Sequence, residues 1–507
     1  GLLRRTSECE TSASSAVIAK EPAATSAVAG RRTARGPWWK LLWRAFLVLV
    51  RAAPVAFASP VCWLLWHRGG ERLFWSLVLG ALQAHGPLAI KFAQWASTRP
   101  DILPASVCHH FAELQDAVRP HPYPSTAAAL AEALGPEWES VLQLEKQPIG
   151  SGCMAQVYRG RLLQPEVVAG ISEAELDIAV KVRHPNALEQ VDLDLGLMHH
   201  AVWLLESLVP AAHYLAMSEA LAHFEAFIVP QADLRIEAAN LDKFRKNFGF
   251  SDHGHGLPVH FPKVLRPFVS ESVLVETFEP AVPLRTLLRQ GPDETHAARC
   301  FDGVPGGMTI SEAQDRVGGL CMDMFLQMLF VDNFIHADLH PGNIHFRFPQ
   351  QPLSGHRRSG GGPMPELVVF DAGLAVRLSR GDRRNFLEVF HAIATNNGRR
   401  AGELMLERTP GDRSRILDEE GFVSGVADLV GAVRSGGIAL GRVRLGDVFT
   451  RMLGLACDHR VKLETAFVTA ATSIMVIEGV GRQLKPLTDI VLAAQPLLIE
   501  ALAERFL

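Results

Sequence analysis

The spacing of apolar positions changes character several times along the 507-residue chain. From residue 75 to 143 apolar side chains recur three and four apart, the period of helices that bury one face. Two segments between residues 144 and 183, LEKQPIGSGCMAQVYRGRL and DIAVKVRHP, read as strands, joined by the looser stretch VVAGISEAEL. Helical periodicity returns in VDLDLGLMHHAVWLLESLV and again in SEALAHFEAFIVPQADLRIEAANLDKF, and VSESVLVETFE predicts a further strand. Beyond residue 311 the pattern is helical, apart from short strands near Asn343 and Asp371. Between those two, FPQQPLSGHRRSGGGPMPE predicts a disordered insertion over 349–366, with its Gly360 to Gly362 run as linker. No internal repeat is apparent.

Residues 1–36 are rich in Ala, Ser, Thr and Arg, which suits an organelle transit peptide. Glu8, Glu10 and Glu21 favour the alternative of a plain disordered tail. The segment 37–72 is hydrophobic and predicts membrane contact. Its uncharged run from Ala52 to Trp66 is too short to span a bilayer, and extending it back to Leu41 takes in Arg44 and Arg51. Trp38, Trp39 and Trp43 on one side and Trp63 and Trp66 on the other resemble interfacial belts. Both a single span and a peripheral association fit, and the bland alternative is a helix pair broken at Pro54 and Pro60.

Composition adds little to this outline. Hydrophobic residues at 48% and charged residues at 21% indicate a globular protein with a large core. A net charge of -4 gives no reason to expect a nucleic-acid partner. The charge is uneven, with eleven Lys/Arg against four Glu in the first 72 residues, which marks a targeting or membrane-facing N-terminus. Seven cysteines are scattered without a C-x-x-C pair, so neither a disulfide framework nor a zinc site is indicated and a reducing compartment fits.

The candidate chemistry centres on FVDNFIHADLHPGNIHF, residues 330–346. In a phosphoryl-transfer loop an Asp orients the accepting group and an Asn five residues later holds a metal on the phosphates. Asp338 and Asn343 have that spacing, although a polar loop between two strands would look similar. Four further elements stand around it in the order that protein kinases use. IGSGCMAQVY places Gly150, Ser151, Gly152, Ala155 and Val157 in a G-x-G-x-x-A-x-V frame whose small residues let backbone N–H groups approach phosphate oxygens. AVKV offers Lys181 for the α and β phosphates of ATP. Glu237 in ADLRIEAANL can form an ion pair with Lys181, and LVVFDAGLAV offers Asp371 as second ligand for Mg2+.

Three departures separate this set from ordinary protein kinases. Ala337 stands where H-R-D has Arg, His340 stands where the catalytic loop has lysine, and no A-P-E follows LAVRLSRGDRRNF. A peptide acceptor would have no evident platform, which favours a small molecule, a lipid or simple ATP hydrolysis.

The upstream segment GPLAIKFAQWASTRPDILP resembles the K-x-G-Q motif of the UbiB/aarF (ADCK) family of atypical kinases, and the resemblance runs from about residue 75 to 490. ADLRIEAAN is similar to that family's E-x-D-x-x-x-E-A segment and EGVGRQLKP to its E-G-x-x-x-x-L-x-P pattern. FVDNFIHADLHPGNI with DAG looks closest to a mitochondrial subtype. The resemblance implies an α+β, protein-kinase-like two-lobed fold. A β-rich N-lobe would span 144–285, a helical C-lobe 286–507, and a helical extension, 73–143, would cover the active site. It implies that Lys91 and Gln94 reach into that site, that the protein binds ATP with Mg2+, and that it associates with a mitochondrial membrane, the inner one expected, or with a plastid membrane. It further implies membrane lipids or quinone precursors as partners, a quinone-biosynthesis complex among them, and support of coenzyme Q or related lipid metabolism.

This chain departs from the family pattern at the latch. Ala93 replaces the motif's Gly, and Gln231 stands where E-x-D has Glu, with Asp233 retained. Loss of a charge-assisted hydrogen bond predicts a looser latch, or one held through Asp233. Gly150 and Gly152 replace the family's alanine-rich loop, which predicts a different nucleotide preference. Two alternatives stay open: a nucleotide-binding pseudokinase scaffold for biosynthetic partners, and a small-molecule phosphotransferase of the choline kinase type.

Overall fold

The computed structural model describes residues 38–65, 69–97, 105–111, 120–208, 217–249, 256–288, 308–349, 364–409, 416–435, 445–463 and 465–485, with 493–494 and 497–498 near the C-terminus. The expected transit peptide or tail, 1–36, lies outside them, as does most of the expected insertion.

Helix α1 covers Trp38–Leu64 without a break, although Pro54 and Pro60 lie inside it. A helical proline leaves the carbonyl four residues earlier without its donor. For Pro60 that carbonyl is Ala56 O, and Ser59 Oγ donates to it at 3.0 Å as well as to Val55 O at 2.7 Å. The helix is apolar and almost unburied: it has a mean hydropathy of 1.8 over its best window, of which 6% is buried. Two of its charged residues, Lys40 and Arg44, turn to Glu189 and Asp194 instead. Arg44 donates to both carboxylate oxygens of Asp194, at 2.6 and 2.7 Å, and to His85 O at 2.8 Å. A charge that would burden a membrane span is thereby paired within the chain.

The helical pattern of residues 75–143 resolves into α2 (Gly70–His85), α3 (Pro87–Ser97), α4 (Ala105–Phe111) and α5 (Tyr123–Leu134). Gly86, at φ +110°, makes the turn between α2 and α3 that a side chain would strain. Next come strands β1 (Leu142–Leu144), β2 (Gly150–Ser151), β3 (Ala155–Leu162) and β4 (Asp177–Arg183). Helices α6 (Ala187–Leu208), α7 (Met217–Ile228) and α8 (Leu234–Phe248) separate them from β5 (Val259–His260), β6 (Val264–Val269) and β7 (Val273–Thr277). Two readings need correction here. VPQAD interrupts the expected long helix because Asp233 starts α8 as its N-cap. SES, residues 270–272, is a turn between β6 and β7, with Ser270 Oγ accepting from Ser272 N and Val273 N, so Val269 ends one strand and the next begins only at Val273.

The antiparallel sheet has the order β1-β3-β4-β7-β6, with β2 folded onto β3. Its alternation sets the site. Ile178, Val180, Val182, Val273 and Val275 point into one core with Tyr158, Leu162 and Leu130 of α5. Leu274 points the other way, into the core that holds Leu234, Ala238 and Leu241 of α8. Side chains alternate along a strand, so Lys181 emerges on the α8 side.

The second lobe carries β8 (Val282–Pro283), α9 (Arg285–Leu288), α10 (Ile310–Leu326), β9 (Ile335–His336), β10 (Ile344–Arg347), β11 (Glu366–Val369) and β12 (Ala375–Val376). Helices α11 (Arg380–Ala394), α12 (Gly398–Glu407), α13 (Glu419–Ser435), α14 (Leu445–Asp458) and α15 (Thr465–Leu484) complete it. Phe325, Phe386, Phe422 and Phe449 are buried in its core. Glu366, placed by the sequence in the insertion, opens β11 and accepts from Arg347 Nε at 2.8 Å.

Candidate functional site

Each group of the site is placed by a regular element. Strands β3 and β4 pair so that Val157 lies opposite Lys181, and the β2–β3 hairpin sets Gly150 opposite Val157 and Ser151 opposite Gln156. Gly152 N donates to Ala155 O at 2.9 Å and closes that hairpin. Asp233 caps α8 by accepting from Arg235 N at 3.0 Å, which fixes the first turn where Glu237 sits buried. Lys181 Nζ then donates to Glu237 Oε1 at 2.8 Å and to Asp371 Oδ1 at 3.1 Å.

Asp371 has φ +55°, a left-handed conformation unusual outside glycine and found preferentially at functional turns. A Cβ on Gly373 would come within 3.3 Å of Asp371 Oδ1, so this glycine keeps the turn open. Asn240, one turn beyond Glu237, donates to Ala372 O at 2.8 Å and ties α8 to the same turn. Opposite, β9 and β12 pair through His336 and Ala375 and hold the start of HADLHPGN, whose end runs into β10. Within that loop Asp338 N donates to His336 Nδ1 at 3.2 Å, and Asn343 Nδ2 donates to Asp338 O at 3.0 Å. Phe370 N donates to Asn343 O at 2.9 Å, which brings the loop against the DAG turn. HADLHPGN is thus a polar loop between two strands, β9 and β10, that sets Asp338 and Asn343 beside the DAG turn. His340, in the place of the kinase lysine, accepts from Gly342 N at 3.0 Å through Nδ1.

Over this cleft lies α3. Lys91 Nζ approaches Asp338 Oδ2 to 3.7 Å. Ala93 is fully buried against Cys153 of the phosphate loop, with Ile90 beside them. The latch residue that departs from the family pattern therefore packs on the loop residue next to Gly152. Gln94 lies on the same short helix, its carbonyl accepting from Ser97 Oγ at 2.6 Å. Gln231 donates to Phe227 O at 3.1 Å, and Asp233 takes the Arg235 guanidinium at 2.7 Å, so both residues of the E-x-D position have local partners.

Electrostatics distinguishes the carboxyls. Burial pushes Asp371 upward, but Lys181 and then Lys91 outweigh it and hold the group well below the usual range. Asp338 is likewise raised by burial and brought below its ordinary value by Lys91 and His340. Glu237 is fully enclosed, and burial carries it to about 7 despite Lys181. Lys181 itself stays protonated, because Asp371 and Glu237 more than offset its burial. Two lysines among three carboxyls, with Asp371 and Asp338 held ionised and Glu237 poised, suit a site that binds a polyanion through a metal and a lysine.

The ABC1 atypical kinase-like domain matches residues 113–405. The chain belongs to the ABC1 family. It is 30% identical over 496 residues to the mitochondrial ABC1 family protein YPL109C of Saccharomyces cerevisiae, covering 88% of this chain and 72% of that protein. The mitochondrial ABC1 family protein C21C3.03 of Schizosaccharomyces pombe is 27% identical over 520 residues, with 92% of this chain and 72% of that one covered. A probable protein kinase UbiB of Histophilus somni is 28% identical over 431 residues, covering 84% and 70%. The solved complex of Rv3197 with erythromycin from Mycobacterium tuberculosis overlaps 87% of this chain and 98% of its own at a TM-score of 0.47 and 18% identity. The two-lobed arrangement described above is the kinase-like fold of the ABC1 family.

This ABC1 protein also has a hydrogen-bonded strut behind the loop between β2 and β3. His184 Nε2 lies 2.9 Å from Gly152 O, His184 Nδ1 lies 2.8 Å from His121 Nδ1, and His121 Nε2 lies 2.8 Å from Thr126 Oγ1. A carbonyl can only accept, so His184 carries its proton on Nε2 and His121 on Nδ1, and Thr126 donates to His121. Tyr158 completes the chain to Thr126 at 2.7 Å. Gln156, fully buried, clamps the backbone of His121 with Oε1 accepting at 3.0 Å and Nε2 donating at 3.2 Å. Both rings must be neutral for this order to exist. Burial, with His184 adding to it, lowers His121 to about 4, and burial lowers His184 as well.

Sequence reasoning missed this strut, because His121 and His184 lie in unremarkable loop contexts. It also missed Asn240 and Glu276, which did leave signals: Asn240 shares a helical face with Glu237, and Glu276 is a charged residue inside the apolar strand VLVET. For a magnesium ion the donors fit. Asn343 turns its amide N–H toward Asp338 O and so leaves its oxygen for a metal, and Asp371 adds a carboxylate held ionised. Among the described residues no group of three or more His, Cys, Asp or Glu side chains forms a closed metal cage.

Proposed function

We propose that this protein binds Mg–ATP and acts as an atypical kinase or ATPase whose acceptor is a lipid, another small molecule or water. The observation that carries the reading is Lys181 held between Glu237 and Asp371, facing Asp338 and Asn343 across one cleft. Lys181 would move from Asp371 onto the phosphates, and Asn343 and Asp371 would hold the metal. Bound magnesium supplies neutralisation of the phosphate charge, where most of the catalysis in this chemistry lies. Asp338, ionised well below neutrality, would orient the accepting hydroxyl or water. With Lys91 on that carboxylate and Ala337 beside it, a peptide acceptor is disfavoured.

The mitochondrial names of two relatives and the exposed apolar α1 support action at a mitochondrial membrane, the inner one being our reading, in coenzyme Q or related lipid metabolism. Membrane lipids or quinone precursors, within a quinone-biosynthesis complex, are the proposed partners. The test is to purify the protein with its native lipids, identify them by mass spectrometry, and measure ATP turnover with and without them. Turnover that survives both Asp338→Asn and Asp371→Asn unchanged would overturn the enzymatic reading.

A second reading has one observation in its favour: Lys91 already engages Asp338, as in a nucleotide-binding scaffold that needs no acceptor. In that case Asp338→Asn preserves function in cells while Lys181→Ala, which removes the phosphate contact, abolishes it.

A further inference from the structure

Helix α1 has the length and hydropathy of a bilayer span, but its packing leaves only one side of it open. Trp39, Trp43, Phe46, Val50, Phe57 and Val61 are each at least 52% exposed. They stand three, four or seven residues apart, so at about 100° per residue they fall within about 60° of one another around the helix. No charged residue interrupts that stripe. Arg44, Val48, Arg51 and Cys62 lie on the other half of the circumference.

That other half is fastened to the protein along its length. Lys40 and Arg44 pair with Glu189 and Asp194 of α6. The end of α2 lies against the middle of α1, with His85 Nε2 3.1 Å from Val48 O and His85 O accepting from Arg44 at 2.8 Å. The start of α2 lies against the far end, where Gly70 N donates to Leu65 O at 3.0 Å and Cys62 is buried. Helix α2 is bound to the body in turn: Trp75 stacks on His110 of α4 with ring centres 4.3 Å apart, and Phe111 of α4 packs on the cluster that holds Cys153. A spanning helix needs hydrocarbon around it for about 20 residues, so α1 could cross only if α2 went with it. At 16 residues α2 is about 24 Å long, short of the roughly 30 Å of hydrocarbon, and it exposes Glu71, Arg72 and Gln83.

A helix lying in the membrane plane has the opposite needs. It gives one apolar face to a single leaflet and keeps its polar half out of the hydrocarbon. In α1 the protein itself holds the polar half. Trp39 and Trp43 carry the amphipathic rings favoured where hydrocarbon meets headgroups, and with Leu42 and Phe46 they alone line a hollow of about 550 Å³ that acyl chains can fill. Charge selects the lipid: residues 37–72 contain five Lys/Arg against Glu71 alone, which favours an anionic surface.

We propose that α1 lies in the plane of an anionic bilayer, its stripe sunk into one leaflet, and does not cross it. The inference rests on membrane association as proposed above and assigns its topology. The chain before Trp38 and the cleft that follows α1 then stay on one side of the membrane.

The experiment reconstitutes the full chain from detergent into sealed vesicles of phosphatidylcholine and phosphatidylglycerol, with a tag before Gly1 and another after Leu507, each behind a site for one specific protease. Protease added outside removes both tags from the same molecules. Molecules that lose one tag and keep the other overturn the in-plane topology and leave membrane association intact. Phe46→Ser and Phe57→Ser together lower the vesicle partition coefficient by about 100-fold, tenfold for each ring withdrawn from hydrocarbon. Both rings are exposed, and an unchanged melting temperature without vesicles shows that the variant is folded. A folded variant that partitions like the native chain overturns the proposal, as does one that only turns a native dimer into a monomer and so gives the stripe to a second copy. Equal binding to vesicles of phosphatidylcholine alone overturns the anionic surface. A native protein that binds no vesicle overturns membrane association itself, and this assignment with it.

Discussion

Two lysines enter the same cleft from different kinds of structure, and both side chains are 13% exposed. Burial therefore does not separate them; geometry does. Lys181 stands on a strand paired on both sides, through Val157 and Leu274, and makes hydrogen bonds of 2.8 and 3.1 Å. Lys91 stands on an eleven-residue helix of the extension and stops 3.7 Å from Asp338, beyond hydrogen-bond range. The sheet holds Lys181 in one geometry between Glu237 and Asp371, whereas the extension lays a looser cation beside Asp338. On the function proposed above, the first would serve the phosphates and the second would screen what approaches Asp338.

The sharpest way to break that comparison is Lys181→Ala. It removes the phosphate contact and leaves Glu237 enclosed without its cation, and breaking such a buried pair costs about 3–5 kcal/mol. The expected outcome is loss of the nucleotide-induced rise in melting temperature, together with a lower melting temperature of the free protein. Were Lys181→Ala still stabilised by ATP, the assignment of this lysine to the phosphates would be wrong. Asp338→Asn is expected to do the reverse, lowering ATP turnover by about 100-fold while the nucleotide-induced stabilisation remains.

Acid comes next and probes the region beneath the phosphate loop. His121 is lowered to about 4 from an ordinary 6.5, and His184 is lowered too, so both are neutral in the folded protein. The unfolded chain takes up protons that the folded one refuses, and stability is therefore complete above about pH 6.5 and falls as pH drops toward 4. After discounting for solvent screening, the loss attributable to His121 is about 1 kcal/mol. Thermal melts from pH 7.5 to 4.5 check this, with His121→Gln, whose melts should depend less on pH across the window. A variant as acid-sensitive as the native chain would remove the strut from the account.

What could be read in advance follows from the same physics. Lys181, Glu237, Asp338, Asn343 and Asp371 each sit in a short motif whose spacing expresses local geometry, a strand flank, a helix turn or a tight loop, and the structure brings all five to one cleft. The two-lobed alternation of strand and helix patterns was legible for the same reason. The contacts that distinguish this chain are long-range and left no local mark. His121 meets His184 across 63 positions, and Ala93 packs on Cys153 only because α3 crosses the loop. The choice between one helix and a pair broken at the prolines stayed open, because the serine hydroxyl that satisfies the carbonyl orphaned by Pro60 shows only in three dimensions. Glu276 was legible as an anomaly in an apolar strand, but its face depends on the register with β4.

Lys91→Met tests the other half of the comparison with a smaller effect. Removing the ammonium takes away the main influence that holds Asp338 below its ordinary range, so that carboxyl should rise. The acidic limb of the turnover profile then moves to higher pH. Stability should change by under about 1 kcal/mol, since the pair is loose and Asp338 is partly open to solvent. A profile that does not move would mean that Lys91 does not act on Asp338 in solution.

Smallest in stability, and most specific to this chain, is the glycine pair of the phosphate loop. A Cβ on Gly150 would meet nothing within 4 Å, and one on Gly152 would meet only Ala155 O at an ordinary 3.7 Å. Neither glycine has a left-handed backbone, so alanine fits both positions and should change stability by less than about 1 kcal/mol through the unfolded chain. Any change in the ratio of ATP to ADP affinity in Gly150→Ala, Gly152→Ala would thus come from how closely the loop's N–H groups approach the phosphates. The loop hangs from His184 through Gly152 O and is wedged by Ala93 against Cys153, so it cannot easily retreat to make room for the added methyl groups. The terminal phosphate is where the two nucleotides differ, and the ratio is expected to shift by several-fold. An unchanged ratio would mean that these glycines serve the hairpin alone, and that the nucleotide preference of this protein is set elsewhere in the cleft.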